Sequence, residues 1–225
     1  MRLKRLLRSA LESARNNESA YPVRPGCGEL AELFRAEGTD KLCYAEGYEM
    51  LLGPRRSSIA NVLEVGIGTR IPNAHSSMDG WGDAHYQPGG SLRAWRDYFP
   101  HARIVGIDVQ PDTQFTSDRI TTAICDSTNA AAARQFLAGQ PKFDLVVDDG
   151  SHLPDDQLAT LANLFPGIAP GGLYLIEDID SASPLYRSPQ MVEPLIGSAL
   201  YMTMDYSNLR PDPGKIIVIQ TRAAD

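Results

Sequence analysis

Short apolar runs alternate with amphipathic stretches along the chain from Asn61 onward. The runs rich in strand-forming residues are Asn61–Val65, Arg103–Asp108, Ile120–Ile124, Phe143–Asp148 and Gly172–Glu177. Helical spacing of apolar residues predicts helices between them, near Ser91–Tyr98, Ala130–Leu137 and Asp155–Phe165. Strands that are apolar on both faces are typical of a parallel sheet covered by helices on each side. The alternation therefore predicts an α/β fold with a Rossmann-like, doubly wound sheet.

The two ends of the chain extend this prediction. Ala199–Tyr206 and Lys215–Thr221 are expected to be two further strands joined by a Pro/Gly turn, giving a seven-stranded sheet with an antiparallel pair at its edge. We expect residues 1–57 to form a short helical N-terminal cap and residues 58–225 to form the Rossmann-like domain. The leucines within Met1–Asn17 have helical spacing, which predicts an amphipathic helix that packs on the domain or on a second copy of the chain.

Composition narrows the class of function. The chain has 225 residues and a formal net charge of -7, which argues against a broad nucleic-acid-binding surface. Its apolar runs fall short of the roughly 20 residues that a membrane-spanning helix needs, so we expect no membrane partner. Its cysteines, Cys27, Cys43 and Cys125, lack metal-binding spacing. This pattern indicates a cytoplasmic protein without a disulfide or zinc framework.

The first half of the predicted sheet has the features of a cofactor site. The first strand is followed by Gly66 and Gly68, and glycines allow a ligand to approach the backbone closely. The second strand ends at Asp108, where an acidic side chain can accept the hydroxyls of an adenosine ribose. Asp126 follows the third strand and is suitably placed to meet an adenine amino group. Dehydrogenases and methyltransferases share the glycines and the ribose-binding acid.

The segment after these glycines departs from the dinucleotide pattern. Ile71 stands where the third glycine of the fingerprint should fall, and the long segment Arg70–Gly89 separates the glycines from the next helix. Both features disfavour a pyrophosphate seated on a helix N-terminus, whereas S-adenosylmethionine carries no phosphate. The Arg70–Gly89 segment is a candidate substrate lid. Its Trp81 and Tyr86 are candidates for an aromatic wall, and its histidines, His75 and His85, are expected to be solvated.

A second group of polar residues follows the fourth and fifth strands. It comprises Asp148, Asp149, His152, Glu177 and Asp178. Neighbouring parallel strands lie about 4.8 Å apart, so these acids can converge. Clustered carboxylates repel one another unless a cation or proton intervenes, and a hard divalent ion such as Mg²⁺ suits oxygen ligands. A hydroxyl bound to such an ion has a lowered pKa, and a nearby histidine can then remove its proton.

On these motifs the sequence resembles class I S-adenosylmethionine-dependent methyltransferases. It is most similar to the metal-dependent sugar O-methyltransferases of macrolide and tetracenomycin biosynthesis. The matching segments begin near Gly38 and are Gly38–Lys41 with Tyr48, Val62–Gly66, Gly90–Trp95, Tyr98–Pro100, Ile104–Asp108, Asp148–His152, Pro170–Tyr174 and Ile176–Asp178. The Asp-Asp-Gly-Ser-His string followed by Glu-Asp after the next strand is the specific part of the match. The macrolide enzymes carry a large N-terminal domain that this sequence does not match.

The resemblance implies S-adenosylmethionine and Mg²⁺ as cofactors and assigns a role to each motif. Asp149, Glu177 and Asp178 match the metal ligands, and His152 matches the general base that acts beside Asp149. The implied cofactor-binding residues are Thr39, Lys41, Tyr48, Glu64, Gly66, Gly68, Ser91, Asp108, Asp126 and Asp148. The implied substrate is a hydroxyl of a natural product, either a sugar or a polyketide-derived scaffold, and a homo-oligomer is expected.

Three alternatives stay open at this point. The same sheet and a similar acid cluster resemble cephalosporin hydroxylase-like proteins, although a redox iron site would want two histidines and one carboxylate, and only His152 is well placed. A non-catalytic S-adenosylmethionine-binding protein would keep the fold without needing the acid cluster. A catechol-type methyltransferase would also use magnesium but would require vicinal aromatic hydroxyls.

Overall fold

The structure is a computed structural model that describes residues 27–80, 86–206 and 214–223. The helices in these ranges are α1 (Glu29–Ala36), α2 (Ala45–Leu52), α3 (Gly90–Tyr98), α4 (Ala130–Ala138), α5 (Pro154–Leu164), α6 (Pro184–Arg187) and α7 (Glu193–Ile196). Short 3-10 turns span Asp40–Tyr44, Gly53–Arg55, Pro111–Thr113, Phe165–Gly167 and Pro189–Met191. The strands are β1 (Asn61–Val65), β2 (Arg103–Asp108), β3 (Thr116–Ser117), β4 (Ile120–Ile124), β5 (Phe143–Asp148), β6 (Ile168–Ile179), β7 (Leu200–Asp205) and β8 (Lys215–Gln220).

One sheet joins all of these strands in the order β3-β4-β2-β1-β5-β6-β8-β7. The five central strands from β4 to β6 are parallel, and β8 runs antiparallel to both β6 and β7. The predicted doubly wound α/β fold and its antiparallel edge are therefore confirmed. The sheet has eight strands rather than the seven predicted, because Thr116–Ser117 pairs with β4. This strand is too short and too exposed to give an apolar run in the sequence.

The strand that carries Glu177 and Asp178 is longer than predicted. The expected strand was Gly172–Glu177, whereas β6 begins at Ile168 and ends at Ile179. The Pro-Gly-Gly sequence that suggests a turn at residues 170–172 lies inside the strand, where the pairing with β5 shifts register and Gly171 has a φ of +78°. A bulge of this kind absorbs extra residues without ending a strand. Both acids consequently lie within β6, not beyond it.

Alternate residues of the central strands pack against opposite layers of helices. Leu145 and Val147 of β5 belong to the core that contains α1, α2 and α3, whereas Val146 belongs to the core that contains α4 and α5. Because both faces are covered, these strands are apolar without alternation, as the sequence indicated. The side chains at the strand ends are then the ones that can be polar and still reach a cavity.

Several sequence predictions lie outside the described residues. They are the helix over Met1–Asn17, the side chains of Trp81 and His85, and the turn between β7 and β8. The division of the chain at residue 58 stays a prediction. In the described part of the chain, none of the helices has the length and apolar character needed to cross a membrane.

Candidate active site

The registers of β1, β5 and β6 bring acidic side chains to one edge of the sheet. Val65 of β1 pairs with Asp148 of β5, and Asp148 pairs with Ile176 of β6. The next residues along the chain are Asp149, directly after β5, and Glu177, in β6. They therefore lie at the same level of the sheet. The convergence expected from the sequence follows directly from this parallel register.

A buried lysine lies among these acids. The Lys41 ammonium donates to Asp149 Oδ2 and to Glu177 Oε2, the latter at 2.7 Å, and lies 3.6 Å from Glu64 Oε1. Its side chain is only 2% exposed. Burial opposes the ammonium charge, but the surrounding carboxylates raise the pKa of Lys41 well above its ordinary value. Lys41 is therefore a fixed positive charge at this edge of the sheet.

Lys41 is positioned by a short N-terminal helical segment. Thr39 begins the 3-10 turn Asp40–Tyr44, and its hydroxyl accepts a hydrogen bond from the Lys41 backbone N–H at 3.2 Å. The Tyr44 hydroxyl donates to Asp178 Oδ1, and the Tyr48 hydroxyl donates to Glu177 Oε1. Lys41, Tyr44 and Tyr48 are spaced three and then four residues apart, so they share one face of the segment. That face supplies hydrogen-bond donors to the carboxylates of β5 and β6.

Asp149, His152 and Asp178 form a group that could hold a cation. One ligand atom from each lies within 4.8 Å of the others. His152 Nε2 is 3.0 Å from Asp149 Oδ1 and 3.7 Å from Asp178 Oδ2. Two carboxylates with one imidazole are a donor set that suits a hard or borderline divalent ion.

The backbone of this group is strained. His152 has a φ of +60° and Asp178 has a φ of +52°. Both values lie in the left-handed region, which residues other than glycine adopt uncommonly. Strained residues of this kind cluster at functional sites, where the surrounding structure enforces them.

The charges of the group follow from its contacts. Burial alone would raise the pKa of Asp149, but Lys41 and His152 hold that pKa below its usual range. Burial lowers the pKa of His152, yet its hydrogen bond to Asp149 and the nearby carboxylates raise it overall. Burial raises the pKa of Glu177. Asp149 therefore contacts two cationic or potentially cationic side chains, Lys41 and His152.

Glu177 lies apart from the group that was expected to include it. Both of its oxygens are engaged, one by Lys41 and one by Tyr48, and its side chain is 2% exposed. It is absent from the group formed by Asp149, His152 and Asp178. In this arrangement Glu177 is held by Lys41 and Tyr48, and a metal ion that it ligated would lie close to the Lys41 ammonium.

A cavity of about 280 Å³ opens beside these acids, at the carboxyl ends of the parallel strands. It is lined by residues that were predicted to bind the cofactor, namely Thr39, Lys41, Glu64, Gly66, Gly68, Ser91, Asp108, Asp126 and Asp148. Asp149 and His152 also line it. This edge of a doubly wound sheet is where such folds bind ligands.

Tyr48 differs from the prediction of a cofactor contact. It does not line the cavity, is 1% exposed, and donates its hydroxyl to Glu177. Its ring packs edge-on against Trp95, with the centroids 5.3 Å apart. Tyr48 therefore positions a carboxylate from inside the core. A tyrosine seven residues after Lys41 on a helical face was the signal that could have identified this role.

Other residues line the cavity that the sequence did not identify. Gln157 and Thr160 approach it from α5, and Ser127 approaches it from the loop after β4. No motif marks these positions, because each depends on how α5 packs beside that loop. The Thr160 and Ser127 hydroxyls hydrogen-bond to each other at 2.8 Å.

The segment after the glycines folds over the cavity. His75, Ser76, Met78 and Tyr86 all line it. His75 Nε2 lies 2.5 Å from the Ser151 carbonyl, and the Tyr86 hydroxyl donates to the Gly68 carbonyl at 3.1 Å. The described part of this segment thus contacts both the glycine loop and the loop that carries Asp149.

Several of the lining acids also have structural partners. Glu64 accepts hydrogen bonds at 2.5 Å from the Ser91 hydroxyl and from the Trp95 indole N–H. Asp108 accepts from the Ile67 and Gln110 backbone N–H groups at 2.8 Å. These bonds fix the carboxylates in place and leave further lone pairs for a ligand.

Asp148 is a buried acid at the end of β5. It is 2% exposed, and burial raises its pKa to about 7. The Tyr174 hydroxyl lies 3.5 Å from its Oδ2. Asp148 lines the cavity but does not belong to the group formed by Asp149, His152 and Asp178.

Solved structures share this architecture. The methyltransferase MycE of the mycinamycin biosynthetic pathway, in complex with Mg, SAH and mycinamycin VI, aligns with a TM-score of 0.67 and 24% identity over 88% of this chain and 56% of its own. An O-methyltransferase segment of StiE aligns with a TM-score of 0.54 and 16% identity over 90% of this chain and 84% of its own. The chain therefore has the Rossmann-like fold of methyltransferases.

Curated relatives share a higher sequence identity with this chain than these structures do. Demethylmacrocin O-methyltransferase of Streptomyces fradiae is 36% identical over 71% of this chain and 38% of its own length. Mycinamicin VI 2''-O-methyltransferase of Micromonospora griseorubida is 33% identical over 71% and 39%. A rhamnosyl tetracenomycin-C 2'-O-methyltransferase of Streptomyces olivaceus is 31% identical over 68% and 38%. No protein-family model matches the chain.

These comparisons confirm the resemblance stated from the motifs. The chain is a homologue of the sugar O-methyltransferases of macrolide and tetracenomycin biosynthesis. It spans about two fifths of the length of these relatives, since the matched share of each is 38 or 39%.

Gly66 gives a direct test of how closely the two loops of the site approach each other. It has a φ of +83°, and a Cβ there would lie 2.0 Å from the Asp149 carbonyl oxygen. Gly80 has a φ of +76°, but a Cβ there would meet nothing within 4 Å. We expect Gly66→Ala to lower the free energy of unfolding by about 2 kcal/mol or more beyond the effect of Gly80→Ala. Urea denaturation of both variants checks this, and equal losses would contradict it.

Proposed function

We propose that the chain is a Mg²⁺-dependent O-methyltransferase that transfers the methyl group of S-adenosylmethionine to a hydroxyl of a natural product, either a sugar or a polyketide-derived scaffold. The observation that carries this proposal is that Asp149 and His152 line the cavity and also belong, with Asp178, to the group that suits a divalent cation. A single cavity is thus lined both by the residues expected to bind the cofactor and by Asp149 and His152, which would act on an acceptor hydroxyl.

The cofactor role rests on the residues around the glycine loop. Asp108 would accept the ribose hydroxyls, and Asp126 would meet the adenine amino group. Gly66 and Gly68 would let the amino-acid part of the cofactor approach the backbone. Structures of MycE that contain SAH support this assignment, because they share the fold.

The metal role rests on Asp149 and Asp178, with Glu177 added by its match to the relatives' motif. When bound, a divalent ion supplies positive charge that lowers the pKa of an acceptor hydroxyl. Glu177 would offer a remaining lone pair of an oxygen that already accepts from Lys41 or Tyr48. The MycE complexes contain Mg and share the fold, which supports Mg²⁺ as the proposed divalent ion.

His152 would remove the proton of the acceptor hydroxyl. Asp149 Oδ1 accepts from Nε2, which selects the tautomer that carries its hydrogen on Nε2. Nδ1 is then the nitrogen that accepts the proton, while Asp149 stabilises the resulting imidazolium. The hydroxyl oxygen would then attack the sulfonium methyl group in line, so that the C–O bond forms as the C–S bond breaks and S-adenosylhomocysteine is released. Much of the rate would come from holding the oxygen and the methyl group in this alignment.

Two observations support the proposed acceptor, the names of the relatives and the loop over the cavity. Two of the names specify O-methylation at the 2' position of a rhamnosyl tetracenomycin-C and at the 2'' position of mycinamicin VI. The described part of the Arg70–Gly89 segment, including His75, Met78 and Tyr86, would close over such an acceptor as a lid. The homo-oligomer expected from Met1–Asn17 stays a prediction.

Cofactor binding is the first test. Titration calorimetry with S-adenosylhomocysteine should give saturable binding, and Asp108→Ala should weaken it at least tenfold, about 1.4 kcal/mol. Asp118→Ala is the matched control, because that aspartate lies on the surface with 85% of its side chain exposed. Absence of binding heat from the unaltered chain at saturating ligand would sink the cofactor assignment.

Metal dependence is the second test. EDTA and the substitution Asp149→Asn should each abolish methyl transfer, because both remove the positive charge that activates the hydroxyl. Turnover can be followed as S-adenosylhomocysteine release, with mycinamicin VI and demethylmacrocin as test acceptors. S-adenosylhomocysteine should still bind within about threefold of its original affinity, which separates the two halves of the site. Full turnover in EDTA contradicts the metal role.

The proton acceptor is the third test. His152→Gln should lower turnover at neutral pH by roughly 10²- to 10⁴-fold. Since its contacts raise the pKa of His152, the neutral imidazole accumulates only above the ordinary value of about 6.5. The rate of the unaltered chain should therefore rise with pH through that region, and the variant should lose this rise. His101→Gln, at an exposed histidine, is the control. A variant that keeps the same pH profile refutes the assignment.

A further inference from the structure

One ammonium group joins the two halves of the site. Glu64 belongs to the cofactor half, where it is held by Ser91 and Trp95. Asp149 and Glu177 belong to the acceptor half. Lys41 lies between them, 3.6 Å from Glu64 Oε1 and 2.7 Å from Glu177 Oε2. Three neighbouring strands thus direct their acids at the same cation.

Lys41 uses oxygens that a divalent ion would need. It takes Asp149 Oδ2, while Asp149 Oδ1 contacts His152. It also takes Glu177 Oε2, and the other oxygen of Glu177 accepts from Tyr48. An ion that ligates Asp149 and Glu177 must either displace the ammonium or lie within a few ångströms of it. Two positive charges at that distance repel each other strongly where little water separates them.

We propose that Lys41 is a built-in counter-cation that competes with the divalent ion for Asp149 and Glu177, and so weakens metal binding. This inference rests on the metal site of the proposed function. The ammonium is tethered to the chain and is therefore always present at a high effective concentration. Metal binding must either release it from a carboxylate or bring two positive charges close together, and both lower the net affinity for the metal.

The direction of the effect follows from the charge of the cluster. Buried carboxylates are costly unless a cation or a hydrogen-bond donor compensates them. Without the ammonium, Asp149 would keep His152 and Glu177 would keep Tyr48, and the divalent ion would replace the positive charge that Lys41 supplied. Metal binding should then be tighter, and it should stabilise the fold more.

The experiment compares two buried lysines. Lys41→Met keeps an unbranched side chain but lacks the terminal ammonium, so it removes the charge. Lys215→Met is the matched control, because Lys215 is also 2% exposed but lies on β8, where its ammonium donates to Ser181 Oγ at 2.6 Å and lies 5.2 Å from the centre of the Tyr186 ring. Mg²⁺ binding is measured on the full chain by titration calorimetry, and unfolding temperatures are measured in EDTA and in saturating Mg²⁺.

We expect Lys41→Met to bind Mg²⁺ at least tenfold more tightly than the unaltered chain, and to show a larger Mg²⁺-dependent rise in unfolding temperature. Lys215→Met should keep the original Mg²⁺ affinity even where it lowers the unfolding temperature in EDTA. Lys41→Arg, which keeps the charge, should also bind Mg²⁺ as the unaltered chain does. Lys41→Gln is the second neutral variant and should repeat the result of Lys41→Met where the methionine variant folds poorly.

The outcomes separate the two proposals. Equal or weaker Mg²⁺ binding by both neutral variants, with measurable binding by the unaltered chain, overturns the role of Lys41 and leaves the metal site standing. Absence of Mg²⁺ binding by the unaltered chain and by all variants overturns both. Tighter binding by Lys215→Met as well would show a general effect of net charge, and that result also overturns the specific role of Lys41.

Discussion

Carboxylates that are buried at the end of a sheet require partners, and this requirement connects the site to the fold. The ends of β1, β5 and β6 bring Glu64, Asp149 and Glu177 into an edge with little access to water. A buried charge is retained only where a counter-charge or hydrogen-bond donors compensate it. Lys41 and Tyr48 supply these groups from the segment before β1. The position of the acids therefore depends on the packing of that segment against the sheet.

Aromatic side chains hold the segment that carries Lys41 and Tyr48 against the sheet. Trp95 of α3 contacts Phe34 of α1 edge-on, with the centroids 5.1 Å apart, and contacts Tyr48 of α2 in the same way at 5.3 Å. The indole N–H of Trp95 also donates to Glu64. One side chain thus links the helical layer, the aromatic core and the cofactor half. Substitutions in this core would be felt at the carboxylates because the phenol of Tyr48 must reach Glu177.

The strands were predictable because their burial leaves a strong signal, whereas the partners of the acids were not. β1, β2, β4 and β5 begin and end where the apolar runs predicted, and both faces of β1, β2 and β5 are covered. The convergence of Asp149 with Glu177 followed from parallel register alone. However, nothing local shows that Glu177 contacts Lys41, which stands 136 positions earlier in the chain. The spacing of Lys41, Tyr44 and Tyr48 was the available clue, and it acquires meaning only once the segment is known to pack over β6.

The ligand types in the group formed by Asp149, His152 and Asp178 distinguish it from a redox iron site. Asp149, His152 and Asp178 offer one imidazole and two carboxylates, whereas a redox iron triad uses two imidazoles and one carboxylate. His75, the other histidine that lines the cavity, has its Nε2 against the Ser151 carbonyl. His152 and Asp178 have positive φ angles, and each places one ligand atom within 4.8 Å of a carboxylate oxygen of Asp149. That arrangement suits the activation of a hydroxyl beside a bound methyl donor.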